Sequence, residues 1–149
     1  MLSGALTVAG WASAQGGSPD LAPPPGALNP QVTQATIQQT ICARGWTRTI
    51  RPPYAYTWEL KRKQMHARHL DGPPSAYEED HLIPLELGGA PYDPANLWPQ
   101  SWLDTQKKDT LEWQLNRAVC AGWMTLQGAQ QCIRRDWIAC ARQMGIPTP

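Results

Sequence analysis

The chain has 149 residues and a formal net charge of +1, with 13 Lys and Arg against 12 Asp and Glu. This length predicts one domain with a sizeable hydrophobic core. The near-neutral balance gives no indication of a partner, so the distribution of charge along the chain is more informative. No stretch is long and apolar enough to span a bilayer as a helix.

The N-terminal residues 1–14 carry no charge and end in Ala12-Ser13-Ala14, a pattern typical of signal-peptide cleavage sites. The positively charged start of a signal peptide is missing, so the segment either begins upstream or is an apolar N-terminus without structure. We expect a signal peptide and a secreted or periplasmic location. Residues 15–35 are predicted to be a Pro/Gly-rich linker, and residues 36–145 to be the folded domain.

A basic helix is predicted from Trp58 to about Leu70, with Thr57 as its N-cap and Gly72-Pro73-Pro74 after its end. His66 and His69 lie three positions apart on it, which is compatible with a metal site, but without a nearby third ligand we interpret them as surface residues. The helix also carries three neighbouring basic residues, which are candidate phosphate contacts: Lys61, Arg62 and Lys63.

The charges change sign after this helix. Seven Lys and Arg and one acid lie between Arg44 and Arg68, whereas six acids and no Lys or Arg lie between Asp71 and Asp93. Such a division fits a site that binds phosphate on one side and a divalent cation on the other. The alternative is that the two halves simply pair with each other.

An irregular β-hairpin is predicted next. Residues 79–87 alternate loosely between apolar and polar, Gly88-Gly89 ends the run, and Asn96-Leu97-Trp98 forms a second short run. Two short runs joined by a loop that contains glycine are typical of a hairpin.

Two helices are predicted after the hairpin. From about Asp104, apolar residues recur at helical spacing up to Gly122, and a second helix runs from Thr125 to about Gly145. Asp104 suits an N-cap or a first-turn position, where a carboxylate favours the positive end of the helix. The short connection predicts an αα-hairpin.

The four cysteines predict disulfides in an exported domain. Zinc is the alternative, although no Cys-x-x-Cys pair is present. We favour a Cys42–Cys120 bond and leave the second pair open. Cys132 and Cys140 are eight positions apart on a predicted helix, or ~12 Å along its axis, which is too far unless the helix ends between them.

Asp80-His81 on the first strand, Asn96 on the second and a helix after them resemble the HNH nucleases of the ββα-metal superfamily. The chain is also similar to a set of exported bacterial HNH-like proteins, roughly over residues 41–138. The resemblance implies an α+β fold in which a small irregular β-hairpin plus helix, the ββα-metal core, is embedded in a mainly helical, disulfide-stapled domain. The matching motifs are Ile41-Cys42-Ala-Arg-Gly45-Trp46, Asp80-His81-Leu-Ile-Pro84-Leu-Glu-Leu-Gly88-Gly89, Asn96-Leu97-Trp98-Pro, Lys108-Asp109-Thr-Leu111-Glu112 and Val119-Cys120-Ala-Gly122.

The resemblance implies metal-assisted hydrolysis of phosphodiester bonds in DNA, or alternatively RNA. His81 would be the general base, since histidine has a pKa near neutrality. Asp80 would bind a hard divalent cation, Mg²⁺ or alternatively Mn²⁺. Asn96 would orient the loop and the base by hydrogen bonding. The competing interpretation of His81 is a buried, hydrogen-bonded structural histidine.

The third position of the HNH motif is not evident, because no His or Asn stands at the usual spacing. Asp104 is the best candidate metal ligand by position, Glu112 is a candidate assisting ligand, and Lys108 is a candidate phosphate contact. The alternative for Asp104 is a plain helix cap.

The sequence therefore predicts an exported, monomeric, metal-dependent endonuclease whose partner is nucleic acid, with DNA as the first candidate. The alternative is a catalytically inactive HNH-like module that binds nucleic acid or an envelope partner, and an immunity partner stays an open question. A secreted structural domain without a ligand is the third hypothesis, and it leaves the Asp-His and Asn spacing unexplained.

Overall fold

The structure, a computed structural model, describes residues 22–148, so the predicted signal peptide lies outside the described residues. Within them the chain has the predicted α+β fold, with helices around one antiparallel hairpin. In chain order the elements are α1 Trp46–Ile50, α2 Tyr54–Ala67, β1 Tyr77–His81, β2 Leu97–Ser101, α3 Trp102–Cys120, α4 Leu126–Arg135 and α5 Trp137–Gln143.

The hairpin pairs Tyr77 with Ser101 at one end and His81 with Leu97 at the other. Its first strand ends earlier than predicted, at His81, because Pro84 has no N–H for a continuing ladder. Beyond that point the chain turns inward through a short 3-10 turn, Leu85–Leu87, and buries its leucines. The apolar run that resembles a strand in sequence is therefore a buried loop of the core.

Helix α2 begins at Tyr54, so the predicted start at Trp58 was wrong. Pro53 takes the N-cap position, and Thr57 donates its hydroxyl to the carbonyl of Tyr54 from within the first turn. The fixed φ of proline suits the start of a helix, where a missing N–H costs nothing.

Helix α3 begins at Trp102, and Ser101 is its N-cap. Thr125 caps α4, as predicted, but the last helix is not continuous. It breaks at Asp136, whose extended backbone ends α4 and whose carboxylate accepts a bond of 3.0 Å from Ala139 N to cap α5. The break brings Cys132 and Cys140 together, which a continuous helix could not do.

Two disulfides hold this arrangement. Cys42–Cys120 is confirmed and ties the segment before α1 to the end of α3, and Cys132–Cys140 joins α4 to α5. Between them lies the main core, in which α3 and α4 pack on Ile83 and Leu87 of the hairpin loop. No helix in residues 22–148 is long and apolar enough to cross a membrane.

The predicted linker does not extend to residues 26–35. Gly26 N donates to Ala95 O over 2.8 Å, and Leu28 forms a bridge with Gly89. Val32 is buried in the core, and the Arg134 guanidinium donates to Gly26 O over 2.9 Å. This N-terminal segment therefore packs along the hairpin loop and belongs to the domain.

Candidate active site

His81 lies at the end of β1, with its ring buried. Its Nε2 is 3.0 Å from the carbonyl oxygen of Pro91. Because a carbonyl only accepts, Nε2 carries the hydrogen, and the neutral ring keeps its lone pair on Nδ1. Burial lowers the pKa of His81 and outweighs the opposite effect of the Pro91 carbonyl. Near neutral pH the side chain is therefore an uncharged base, and Nδ1 has no hydrogen-bond partner among the described residues.

Asn96 fixes the loop that supplies this carbonyl. Its fully buried amide accepts from Ile83 N over 2.9 Å and donates to Ile83 O and Ala90 O over 2.9 and 3.1 Å. A Cβ on Gly89 would lie 1.8 Å from Ile83 O, so only glycine allows this close approach. Asn96 thus shapes the loop next to Pro91, and its side chain bonds to backbone atoms.

Lys108 lies at the centre of a buried ionic cluster. Its Nζ donates to Asp80 Oδ2 over 2.8 Å, to His81 O over 2.6 Å and to Glu112 Oε1. Burial lowers the pKa of Lys108, but the two carboxylates outweigh burial and hold it above its ordinary value. The side chain has no exposed surface, so in this conformation Lys108 holds β1 to α3 and does not face a phosphate.

Several carboxyl groups surround a small cavity of about 70 Å³ next to this cluster. Burial raises the pKa of Glu78, Glu86 and Asp109, and neighbouring carboxylates act in the same direction. Two cations, Lys108 and Arg51, face more acids than they can neutralise. The acids are Glu78, Asp80, Glu86, Asp109 and Glu112.

Glu78, Glu86, Asp109 and Arg51 were not singled out in the sequence. Two sequence features could have pointed to these residues: the acidic run up to Asp93, and Asp109 next to Lys108. Neither feature shows which carboxyl groups lie around the same cavity.

Asp104 lies outside this cavity. Ser101 Oγ donates to Asp104 Oδ2 over 2.8 Å and accepts from Asp104 N over 3.3 Å, which is a reciprocal cap of α3. The predicted ligands Asp80, Asp104 and Glu112 are therefore not brought together. Asp80 and Glu112 meet across the Lys108 ammonium, and no group of three or more His, Cys, Asp or Glu in residues 22–148 has the spacing of a metal site.

A larger cavity of about 340 Å³ opens beside Asp80 and His81, and three aromatic side chains, Tyr54, Trp58 and Trp102, form part of its wall. Trp102 is held by a bond of 2.8 Å from Nε1 to Ser75 O. Arg51 lines both cavities.

The three basic residues predicted to bind substrate have different environments. Lys61 is buried, donates to Tyr77 O over 2.8 Å and lies 4.9 Å from the centre of the Trp58 ring. Arg62 and Lys63 are exposed, and Lys63 pairs with Glu59 at 2.7 Å. Only Arg62 and Lys63 are therefore open to a ligand from solvent.

Glu79 is a buried acid that the sequence analysis also did not single out. Both carboxyl oxygens are buried without a hydrogen-bond partner. Burial raises the pKa of Glu79 to about 8, although Arg68 and Lys61 act in the opposite direction. Near neutral pH the group is therefore mainly a neutral carboxylic acid next to the larger cavity.

Comparison of the chain with protein-family models, curated proteins and solved structures finds no match.

Proposed function

We propose that this protein is an exported, metal-dependent endonuclease that hydrolyses phosphodiester bonds of nucleic acid as a monomer. The observation that carries the proposal is the orientation of His81. The Pro91 carbonyl holds the hydrogen on Nε2, burial keeps the ring neutral, and the free Nδ1 belongs to a residue that lines two adjoining cavities. A general base needs all three properties.

The chemical step follows from that base. A water molecule gives a proton to Nδ1 of His81 while its oxygen attacks phosphorus. The P–O bond to the leaving oxygen breaks, and that oxygen takes a proton from solvent to become a hydroxyl. The imidazolium that forms is stabilised by the carboxylate of the adjoining Asp80. Asn96 contributes by fixing the loop that carries Pro91, so it positions the base and does not contact the reacting atoms.

A hard divalent cation fits the acids around the smaller cavity. Five acids lie at this cavity, so their ionised carboxylates carry more negative charge than the two cations Lys108 and Arg51 can neutralise. Mg²⁺ takes one or two protein carboxylates and completes its shell with water and phosphate, so a cage of three protein ligands is not required. Asp80 and Asp109 would be the two carboxylates that hold Mg²⁺ or Mn²⁺. When bound, the ion supplies charge stabilisation at the scissile phosphate.

Export is supported by the two disulfides, since such bonds form and persist in oxidising compartments. The cleavage pattern at Ala12-Ser13-Ala14 points in the same direction.

A plasmid-cleavage assay tests the proposal. Oxidised protein is incubated with supercoiled DNA, and in parallel with single-stranded circular DNA, in the presence of Mg²⁺, Mn²⁺ or Ca²⁺. His81→Ala is compared with His66→Ala, which removes an exposed histidine of α2. We expect cleavage with Mg²⁺ or Mn²⁺, a loss of roughly a hundred-fold or more in His81→Ala, and no change in His66→Ala. The absence of cleavage with every ion, in protein that still binds DNA, refutes the nuclease proposal.

The second candidate is a binding module without activity. The observation that favours it is the Lys108 ammonium, which already occupies the space between Asp80 and Glu112. Thermal unfolding with added Mn²⁺ separates the two candidates. A rise in Tm that is lost in Asp109→Asn supports the enzyme, because a ligand that binds only the folded state raises Tm. An equal Tm with and without Mn²⁺ supports the binding module.

A further inference from the structure

The larger cavity combines aromatic rings with the proposed reacting group. The rings of Tyr54 and Trp58 stack on each other, with centroids 5.9 Å apart and planes inclined by 25°. Tyr54 is 74% exposed and Trp102 is 48% exposed, so large aromatic surfaces remain open to solvent beside His81. Aromatic side chains of this size are normally buried, and exposed rings that line one cavity indicate a surface for a flat apolar ligand.

Positively charged side chains lie near the same cavity. Arg44, Arg48 and Arg51 are exposed on the segment before α2, and Arg51 lines the cavity wall. Lys61 of α2 also lines the cavity, together with the acids Glu78 and Asp80. A basic track beside stacked aromatic rings complements an anionic backbone that carries flat bases, the combination by which proteins bind single-stranded nucleic acid.

A duplex does not meet these requirements. Its bases hide their faces in the stack and present only their edges in the grooves, so an aromatic ring finds no face to stack on. An unpaired base exposes its face, and a cavity of about 340 Å³ accommodates one base with part of its sugar. His81 and Asp80 line the same cavity. A nucleobase bound there would therefore place its own phosphate near His81, the proposed proton acceptor.

We propose that this site selects single-stranded nucleic acid by stacking an unpaired nucleobase against Tyr54, Trp58 and Trp102, with the neighbouring phosphate at His81. The inference deepens the proposed nuclease function and rests on it. Stacking accepts every base, so the site discriminates by strandedness and not by sequence.

Binding without cleavage tests the inference. Fluorescence anisotropy is measured in chelator with a labelled oligothymidine, an oligouridine and a DNA duplex of equal length. The variants are Tyr54→Ala and Trp102→Ala, and the control is Trp123→Ala, which removes a ring that is 83% exposed in the turn between α3 and α4.

We expect the single strand to bind at least roughly ten-fold more tightly than the duplex, and each cavity variant to lose roughly ten-fold of that affinity. Trp123→Ala should bind like the parent protein. Equal affinity for duplex and single strand, or single-strand affinity unchanged in both cavity variants, overturns the inference. The oligouridine decides whether ribose is accepted as well as deoxyribose.

The two proposals fail differently. Selective single-strand binding without cleavage under any ion removes the nuclease activity but leaves the strand selectivity standing. Cleavage that requires His81 but proceeds equally on duplex, with intact activity in Tyr54→Ala and Trp102→Ala, removes the strand selectivity alone.

Discussion

Glu79 shows how strongly one buried residue can depend on its environment. Its neighbours on β1, Glu78 and Asp80, face the smaller cavity together with other acids, and Glu79 alone buries both oxygens without a hydrogen bond. An ionised carboxylate in such a place costs several kcal/mol. Burial therefore favours the neutral, protonated form of Glu79, and this raises its pKa.

Stability without divalent ions should therefore fall as pH rises. The pKa of Glu79 is about 8 in the folded chain and has an ordinary value of 4.5. Above the lower value the unfolded chain releases the proton while the folded chain retains it, so the free energy of unfolding decreases up to about pH 8 and then levels. Glu79→Gln stays neutral and should be more stable than the parent at pH 8, by roughly 1–3 kcal/mol.

Urea unfolding in chelator at about pH 5 and about pH 8 measures this difference. The lowered pKa of His81 makes the free energy of unfolding rise with pH in the acid range, opposite to the effect of Glu79. This contribution is present in both proteins, so it cancels when the variant is compared with its parent. The same pH dependence in both proteins would show that Glu79 is ionised in the folded state.

Among single residues, the sequence identified candidates only where they belong to a recognisable motif. Asp80, His81 and Asn96 were singled out because their types and spacing are distinctive. Glu79, Glu86 and Asp109 were not, because their environment depends on which neighbours α2, α3 and the hairpin loop supply. The role of Lys108 also differs from its prediction, since a lysine on a polar helix gives no sign that it is buried.

The contact between β1 and α3 depends on Lys108. It bonds to Glu112 on its own helix and to Asp80 and His81 on the strand, so it determines how the hairpin lies on the helix. Removing one partner from a buried ion cluster leaves the other charges without compensation, and this strongly destabilises the folded state. Replacing the whole cluster by apolar residues of similar volume costs much less stability.

Lys108→Met should therefore destabilise the protein by about 3–5 kcal/mol. Lys63→Met is the matched control, because Lys63 also pairs with a glutamate four positions away but is 72% exposed. The control should cost about 0–1 kcal/mol. Guanidinium unfolding of both variants measures the two values, and similar losses would mean that the cluster contributes no more than a surface pair.

The boundaries of the elements were predictable where a cap residue was evident. Thr125 marked the start of α4 correctly. Asp136 carries a similar cap signal in front of Ala139, but the apolar spacing continues across it and concealed the break. The early start of α2 follows from Pro53, which takes the N-cap position four residues before the predicted cap Thr57.

For the whole molecule, the two disulfides differ in the length of chain they enclose. Cys42–Cys120 spans 78 positions and Cys132–Cys140 spans 8. In the chain-entropy model a longer loop restricts the unfolded state more. The general fold class and the first pairing were predictable, whereas the packing of residues 26–35 was not, because a segment rich in Pro and Gly shows no periodicity that marks it as packed.

Replacing Cys42 and Cys120 together by alanine should cost about 4 kcal/mol, and replacing Cys132 and Cys140 together should cost about 2 kcal/mol. Chemical unfolding of the two double variants, each beside the oxidised parent, measures both losses. A larger loss of stability in the Cys132 and Cys140 variant than in the Cys42 and Cys120 variant would contradict this prediction. It would show that the shorter disulfide is needed to keep α5 in place.

The bond between Arg134 and Gly26 joins residues 108 positions apart. Gly26 and Ala27 in turn bond to Ala95 and Ala90 on the loop that holds His81. A chain that leaves the ribosome or a secretion channel from its N-terminus cannot form the hydrogen bond between Arg134 and Gly26 until Arg134 has emerged. The loop next to His81 therefore receives its last support from the N-terminal segment only when nearly the whole chain is available for folding.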